Sequence, residues 1–183
     1  MSYPHALTAA ELLRLNLSTK RTELVRGVLR VREPASYRHG ELTVALTLAI
    51  GKHVEAHDLG RVLAAETGFK LTADPDTVRA PDLAFIRSDR LPDPAPQGYA
   101  ELAPDLVVEV LSPADRPGEV LARVGDWLTA GTRLVWVVDP IREVVRVYRA
   151  DGSDTVASKD ANLAGEDVLP GFTCALALLF RSG

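Results

Sequence analysis

Apolar residues repeat along this chain in two rhythms. Between His39 and about Ala56, Leu42, Ala45, Leu46, Ala49, Ile50 and Val54 recur every three or four positions, which predicts a helix buried along one face. Asp58-Leu59-Gly60 ends it. A second long helix is expected from Arg116 to Ala130, stopped by Gly131. The other rhythm is the short continuous run. Leu83 to Ile86, Leu106 to Leu111 and Leu134 to Val138 read as buried strands, and the most apolar, Leu106 to Leu111, is expected at the centre of the sheet.

Weaker signals fill the gaps. Thr8-Ala9-Ala10-Glu11 is a capping box ahead of Leu12 and Leu13 and predicts a short N-terminal helix. Glu23-Leu24-Val25 and Val28-Leu29-Arg30-Val31 flank Arg26-Gly27, a hairpin pattern with glycine supplying the turn. Arg61 to Leu71 reads as one or two strands broken near Thr67-Gly68, and Ala73-Asp74-Pro75-Asp76 as a turn. The proline-rich stretch from Leu91 to Pro104 reads as a surface loop. Val144 to Tyr148 alternates and pairs naturally with the strand before it. The tail from Leu169 onward holds a turn and an apolar segment with Leu176, Leu178, Leu179 and Phe180. That segment either closes the core or contacts a second copy of the chain. The expectation is one α/β domain over residues 1–183.

Composition narrows the functional classes. The net charge of −4 means that the surface as a whole does not attract nucleic acid, so binding would need a local basic face. Arg142, Arg146 and Arg149 form one candidate cluster, and Lys20 with Arg21, ahead of the first strand, form another. The lone cysteine, Cys174, excludes an internal disulfide and a zinc-finger pattern and reads as a small core residue. There is no signal-peptide pattern and no apolar run long enough to span a bilayer, so a cytoplasmic protein without a membrane partner is expected.

Two acids break the strand pattern. Asp82 follows Pro81 at the start of one buried run. Glu109 sits in the middle of another, sharing a face with Asp105, Val107 and Leu111. An ionised carboxylate in such a place is costly unless it is neutralised. If the two strands are neighbours, the acids converge at a sheet end, and a divalent cation between them removes their repulsion. Mg²⁺ or Mn²⁺ suits two carboxylates completed by waters and phosphate oxygens. The competing arrangement gives each acid its own guanidinium or leaves it in solvent. Asp105, next to a proline at a strand start, reads equally well as part of a turn.

Pro81-Asp82 followed by Glu109 on a later strand resembles the PD-(D/E)XK nuclease superfamily. The whole chain resembles one bacterial branch of restriction-endonuclease-like proteins. The matching pieces are Glu23 to Gly27, His39-Gly40, Val78 to Phe85, Pro104 to Pro113 and Leu134 to Pro140. The resemblance implies a restriction-endonuclease-like mixed β-sheet flanked by helices, carrying an N-terminal helix and β-hairpin. It also implies a Mg²⁺-dependent phosphodiester hydrolase acting on nucleic acid, with DNA as the expected substrate. Asp82 and Glu109 would be metal ligands and catalytic residues.

The superfamily's lysine two residues beyond the second acid is Leu111 here, and the corresponding basic group is Arg123 on the following helix. Arginine stays protonated and cannot act as a base, but it can stabilise the charge that develops on phosphorus-bound oxygens. A plainer reading pairs Arg123 with Glu119 four residues earlier. Glu23 matches the branch's N-terminal acid and is expected behind the metal, as an extra metal ligand, or in a hairpin salt bridge. Glu66 could face the same site. His39 either contacts a phosphate or a neighbouring loop, or is an exposed helix-start histidine. Two other functions compete with a nuclease: a decayed nuclease fold that binds nucleic acid or protein, and a homodimeric scaffold whose acids are merely solvated.

Overall fold

The computed structural model describes residues 6–15 and 21–181. Its elements are α1 (Ala9–Arg14), β1 (Arg21–Val25), β2 (Val28–Arg32), α2 (Tyr37–Ala56), β3 (Gly60–Ala64), β4 (Phe69–Thr72), β5 (Thr77–Arg79) and β6 (Leu83–Arg87). There follow β7 (Leu106–Val110), α3 (Pro117–Thr129), β8 (Leu134–Asp139), β9 (Val144–Arg149), β10 (Asp154–Ser158), β11 (Asn162–Ala164), β12 (Thr173–Ala175) and α4 (Leu176–Leu179).

Local chemistry sets several of these boundaries. The Thr8–Glu11 capping box forms as the sequence predicts. The β1–β2 hairpin turns on Arg26 (φ 50°) and Gly27 (φ 76°), the left-handed pair that matches strand twist. A Cβ on Gly27 would lie 2.5 Å from that of Ala6, so the position admits no side chain. Ser36 caps α2 by accepting the His39 N–H at 3.3 Å.

Six strands form the main sheet, in the order β10-β9-β8-β7-β6-β3. The β7–β8 pair is parallel and the other neighbours are antiparallel. A parallel pair needs a crossover, and α3 supplies it. Leu106, Val108 and Val110 of β7 pack toward α2, against Leu42, Leu46, Ile50 and Val54. Val107 packs on the other face with Val120, Val124 and Trp127 of α3. Each fully buried aliphatic side chain contributes about 1.5–3 kcal/mol relative to exposure. The smaller sheet, β2-β1-β5-β4, packs Leu24 and Val78 against Leu7 and Leu12.

The mixed sheet flanked by helices agrees with the fold read from the sequence. Strands β5, β10, β11 and β12 carry too few apolar residues for their periodicity to announce them. The apolar tail closes the core: Leu176, Leu179 and Phe180 are buried, while Leu178 is exposed. Cys174 is half-buried beside that core, and burial pushes its thiol up.

The arginine cluster at the far edge does not form a free basic face. Arg142 pairs with Asp139, Arg146 with Asp154 and Arg149 with Glu166. Lys20 lies outside the described residues, and Arg21 opens β1. Among the described residues no helix is long and apolar enough to cross a membrane.

Candidate nuclease site

Asp82 immediately precedes β6, and Glu109 lies near the end of the neighbouring strand β7. The Asp82 N–H donates to the Val108 carbonyl at 3.1 Å, and its Oδ2 accepts the Val110 N–H at 2.8 Å. These two bonds bracket Glu109. The strands expected to be neighbours are neighbours, and both acids are buried at 2–3% exposure.

Their surroundings differ. Oδ1 of Asp82 receives the Arg21 guanidinium at 2.8 Å, and Oδ2 meets His39 Nε2 at 3.1 Å. Burial pushes the Asp82 acid up, but the hydrogen bond and charge of His39, the Val110 N–H and the charge of Arg21 outweigh it. The carboxyl therefore sits below its ordinary value. Glu109 is compensated less, by the charge of Arg32 and the hydrogen bond of Trp127 alone among the described residues. Its Oε1 accepts the Trp127 indole N–H at 3.0 Å, and its Oε2 lies 3.8 Å from Arg123 Nε, beyond hydrogen-bond reach. Desolvation, with the charges of Asp82 and Glu23 added, pushes this acid up to about 8.

Arg123 is buried, so the surface pair with Glu119 is not how it is used. Its Nη2 donates to Asp115 at 2.8 Å, while its Nε has no hydrogen-bond partner among the described residues. The guanidinium thus sits beside Glu109 with one donor unspent. Helix α3 places it there because Val120, Arg123, Val124 and Trp127 share the buried face.

Glu23 is held behind this centre by Arg79 Nη1 at 2.9 Å, the Ala80 N–H at 3.1 Å and, more loosely, Arg32 Nε at 3.4 Å. It makes the hairpin salt bridge and also adds charge to the site. Arg79 continues to Asp126 on α3 at 2.9 Å through Nε, tying the smaller sheet to the helix that carries Arg123 and Trp127. His39, for which an exposed place was one expectation, is buried and oriented on Asp82. Glu66 is exposed in the turn after β3 and lines the groove at Arg21. Asp105 is fully buried and belongs to an anchor at the other end of β7, where it accepts the Arg87 N–H and Arg90.

A groove of about 760 Å³ runs between the β1–β2 hairpin and the start of α2, lined by Arg21, Arg32, His39, Gly40, Val44 and Glu66. Two partners of Asp82, Arg21 and His39, face it, while Asp82 itself lies buried behind them. The sequence alone did not single out Arg79 or Trp127 as site residues, and it raised Arg21 only as a basic neighbour of Lys20, not as a partner of Asp82. Alternation in β1 carried the signal for Arg21, because it puts Arg21 on the same face as Glu23. The indole of Trp127 was hidden in an apolar stripe.

Two carboxylates, Asp82 and Glu109, are the donors here that would suit a hard divalent cation. Among the described residues no three His, Cys, Asp or Glu side chains assemble into a metal cage. Mg²⁺ does not require one, since one or two carboxylates with waters and substrate phosphates suffice. Glu109, buried without a cation in hydrogen-bond contact, is the residue whose chemistry asks for such an ion.

Comparison with known proteins agrees with this architecture. A crystal structure described as a putative nuclease belonging to DUF820, from Anabaena variabilis, superposes with a TM-score of 0.84. It shares 21% identity, over 95% of this chain and 97% of that one, and it supports the fold. No curated protein matches. The model of the Uma2 family, described as putative restriction endonuclease, matches residues 9–177. A match over that span, on a nuclease-like fold whose paired acids lie at adjoining strand ends, shows that the chain belongs to the Uma2 family.

Proposed function

We propose that this protein is a Mg²⁺- or Mn²⁺-dependent nuclease that hydrolyses phosphodiester bonds in nucleic acid, with DNA as the substrate. The observation that carries this reading is the bracketing of Glu109 by two bonds of Asp82, its N–H to the Val108 carbonyl and its carboxylate from the Val110 N–H, which brings two buried acids together at one sheet end. Asp82 and Glu109 would hold the ion. A divalent cation there supplies Lewis acidity to a phosphoryl oxygen and lowers the pKa of an attacking water.

The chain's own residues complete the site. His39 and the Val110 N–H orient the Asp82 carboxylate, and Trp127 orients that of Glu109. Arg123 offers its unspent Nε–H to charge developing on the phosphoryl oxygens, a role that needs a fixed positive charge and no proton transfer. Asp115 holds the other end of that guanidinium. Glu23, clamped by Arg79, keeps the hairpin against the site.

The test is cleavage of single- and double-stranded DNA and RNA with Mg²⁺ or Mn²⁺ by the wild-type protein, Asp82→Asn and Glu109→Gln. Loss of cleavage in both variants with unchanged circular dichroism supports the reading. Full cleavage by both variants ends it. Two observations favour a second reading, a binding module that has lost catalysis: Leu111 stands where the superfamily's lysine is expected, and Asp82 already has an internal cation in Arg21. Calorimetry separates the two readings. Mn²⁺ binding that disappears in Glu109→Gln favours the enzyme, and no Mn²⁺ binding favours the module. Assembly as a homodimer is tested in the same preparation by light scattering.

A further inference from the structure

Arg21 occupies an unusual place for an arginine. It opens β1 and stands opposite Arg32 of β2 in the antiparallel register. Like charges directly opposite one another on adjacent strands oppose pairing, so the arrangement costs stability unless anions meet it. Both guanidinium groups are recessed, at 16% and 25% exposure, and both line the groove of about 760 Å³. Arg32 reaches Glu23 only at 3.4 Å. Arg21 is drawn to Asp82 directly and also feels the charges of Glu109 and Glu66. It therefore sits in the field of the two acids that the nuclease reading assigns to the metal, at the mouth through which a substrate would come.

Resting on that reading, we propose that Arg21 is an exchangeable internal cation: it neutralises Asp82 in the resting protein and, when a divalent ion takes that carboxylate, turns with Arg32 to clamp a phosphodiester of the nucleic-acid strand in the groove. Asp82 passes from one cation to another, and the released guanidinium meets the phosphate that arrives with the substrate. Arginine suits this work because its planar fork binds carboxylate and phosphate with the same geometry. The arrangement also explains how an acidic protein could hold nucleic acid, since the two recessed arginines become a local basic site only once Asp82 is occupied.

This device predicts opposite effects of one substitution on two ligands, which a merely structural role would not produce. In Arg21→Gln the competitor for Asp82 is gone, so Mn²⁺ measured by calorimetry should bind about tenfold tighter than to the wild type, the size of one charge-assisted hydrogen bond. The same variant should bind a fluorescein-labelled DNA oligonucleotide about tenfold more weakly in Ca²⁺, by fluorescence anisotropy. Arg21→Lys should lie between wild type and Arg21→Gln on both measurements. In EDTA, Asp82→Asn should bind the oligonucleotide more tightly than Glu109→Gln does. At pH 9, above the raised acid of Glu109, the two variants remove the same charge, but only the first frees Arg21.

Mn²⁺ binding that is unchanged or weaker in both Arg21 variants overturns the proposal, as does undiminished DNA binding in Ca²⁺. Wild-type protein that binds no Mn²⁺ overturns the nuclease reading and this inference with it. Wild-type protein that binds Mn²⁺ at Glu109, with Arg21 variants that do not tighten it, overturns this inference alone.

Discussion

Strand β7 has a buried acid at each end, and the two are treated in opposite ways. Asp105, just before the strand, is fully enclosed and fully answered. It accepts the Arg87 N–H at 3.0 Å and the Arg90 guanidinium at 2.8 Å, and its own carbonyl accepts the N–H groups of Arg133 and Leu134. Glu109, four residues on, is equally enclosed but has one indole N–H and an arginine beyond bonding distance. A buried carboxylate with its own guanidinium and backbone donors is an anchor for the fold. One left short of positive charge beside two other acids is the group that the proposed function assigns to a metal ion. Burial therefore does not separate the two acids, and the count of donors does.

Substitution should divide the two acids most sharply. Glu109→Gln is expected to reduce metal-dependent cleavage to background while preserving the fold, because the amide keeps the Trp127 bond and loses only the charge. Asp105→Asn should leave the chemistry intact and lower stability by about 1–3 kcal/mol, because Arg90 and the Arg87 N–H lose a charged acceptor. Cleavage assays and urea unfolding of the two variants check the contrast, and a catalytic loss at Asp105 matching that at Glu109 would erase it.

Arg123→Ala comes next. It should lower the rate about 10²–10³-fold, the usual consequence of removing one group that meets transition-state charge. Rate measurement at saturating Mg²⁺ checks this, and an unchanged rate would return Arg123 to a purely structural place beside Asp115.

The pH dependence sharpens the same comparison. Glu109 has its folded-state acid raised to about 8 from the usual value near 4.5. A raised acid contributes stability that is fully present below the unfolded value and is lost as pH rises through the folded one. The metal-free protein should therefore lose stability between pH about 4.5 and 8. Glu109→Gln should lose less across that window, and Mg²⁺ should raise the wild-type melting temperature more at pH 9 than at pH 6. The lowered acid of Asp82 acts in the other direction: its contribution is present above its ordinary value and is lost in stronger acid. Thermal melts across pH, with and without Mg²⁺, read both.

The smallest effect is expected at the far edge of the sheet. Arg146→Ala removes an exposed pair with Asp154 and should change stability by less than about 1 kcal/mol and DNA binding not at all. A large loss of DNA affinity there would move the nucleic-acid surface away from the hairpin groove.

Much of this molecule was legible in its residues because apolar spacing reports directly on which face of an element is buried. Helices α2 and α3, strands β6, β7 and β8, the N-terminal capping box and the Arg26-Gly27 turn all follow from that rule and from turn geometry. So did the two acids, since a charge inside a strand pattern is itself the anomaly. The pairing of these acids at adjoining strand ends, the burial of His39 and Arg123, and the tie from Arg79 to Asp126 depend on which strands and helices meet. The arginines near the C-terminus show the same limit from the other side: a basic cluster in the sequence is neutralised by acids that the fold brings to it. Periodicity is a property of one segment, so the sequence by itself determined the elements and flagged the acids. Electrostatic partnership is a property of segments brought together, so only the tertiary structure decided that Asp82 has a guanidinium in bonding contact and Glu109 does not.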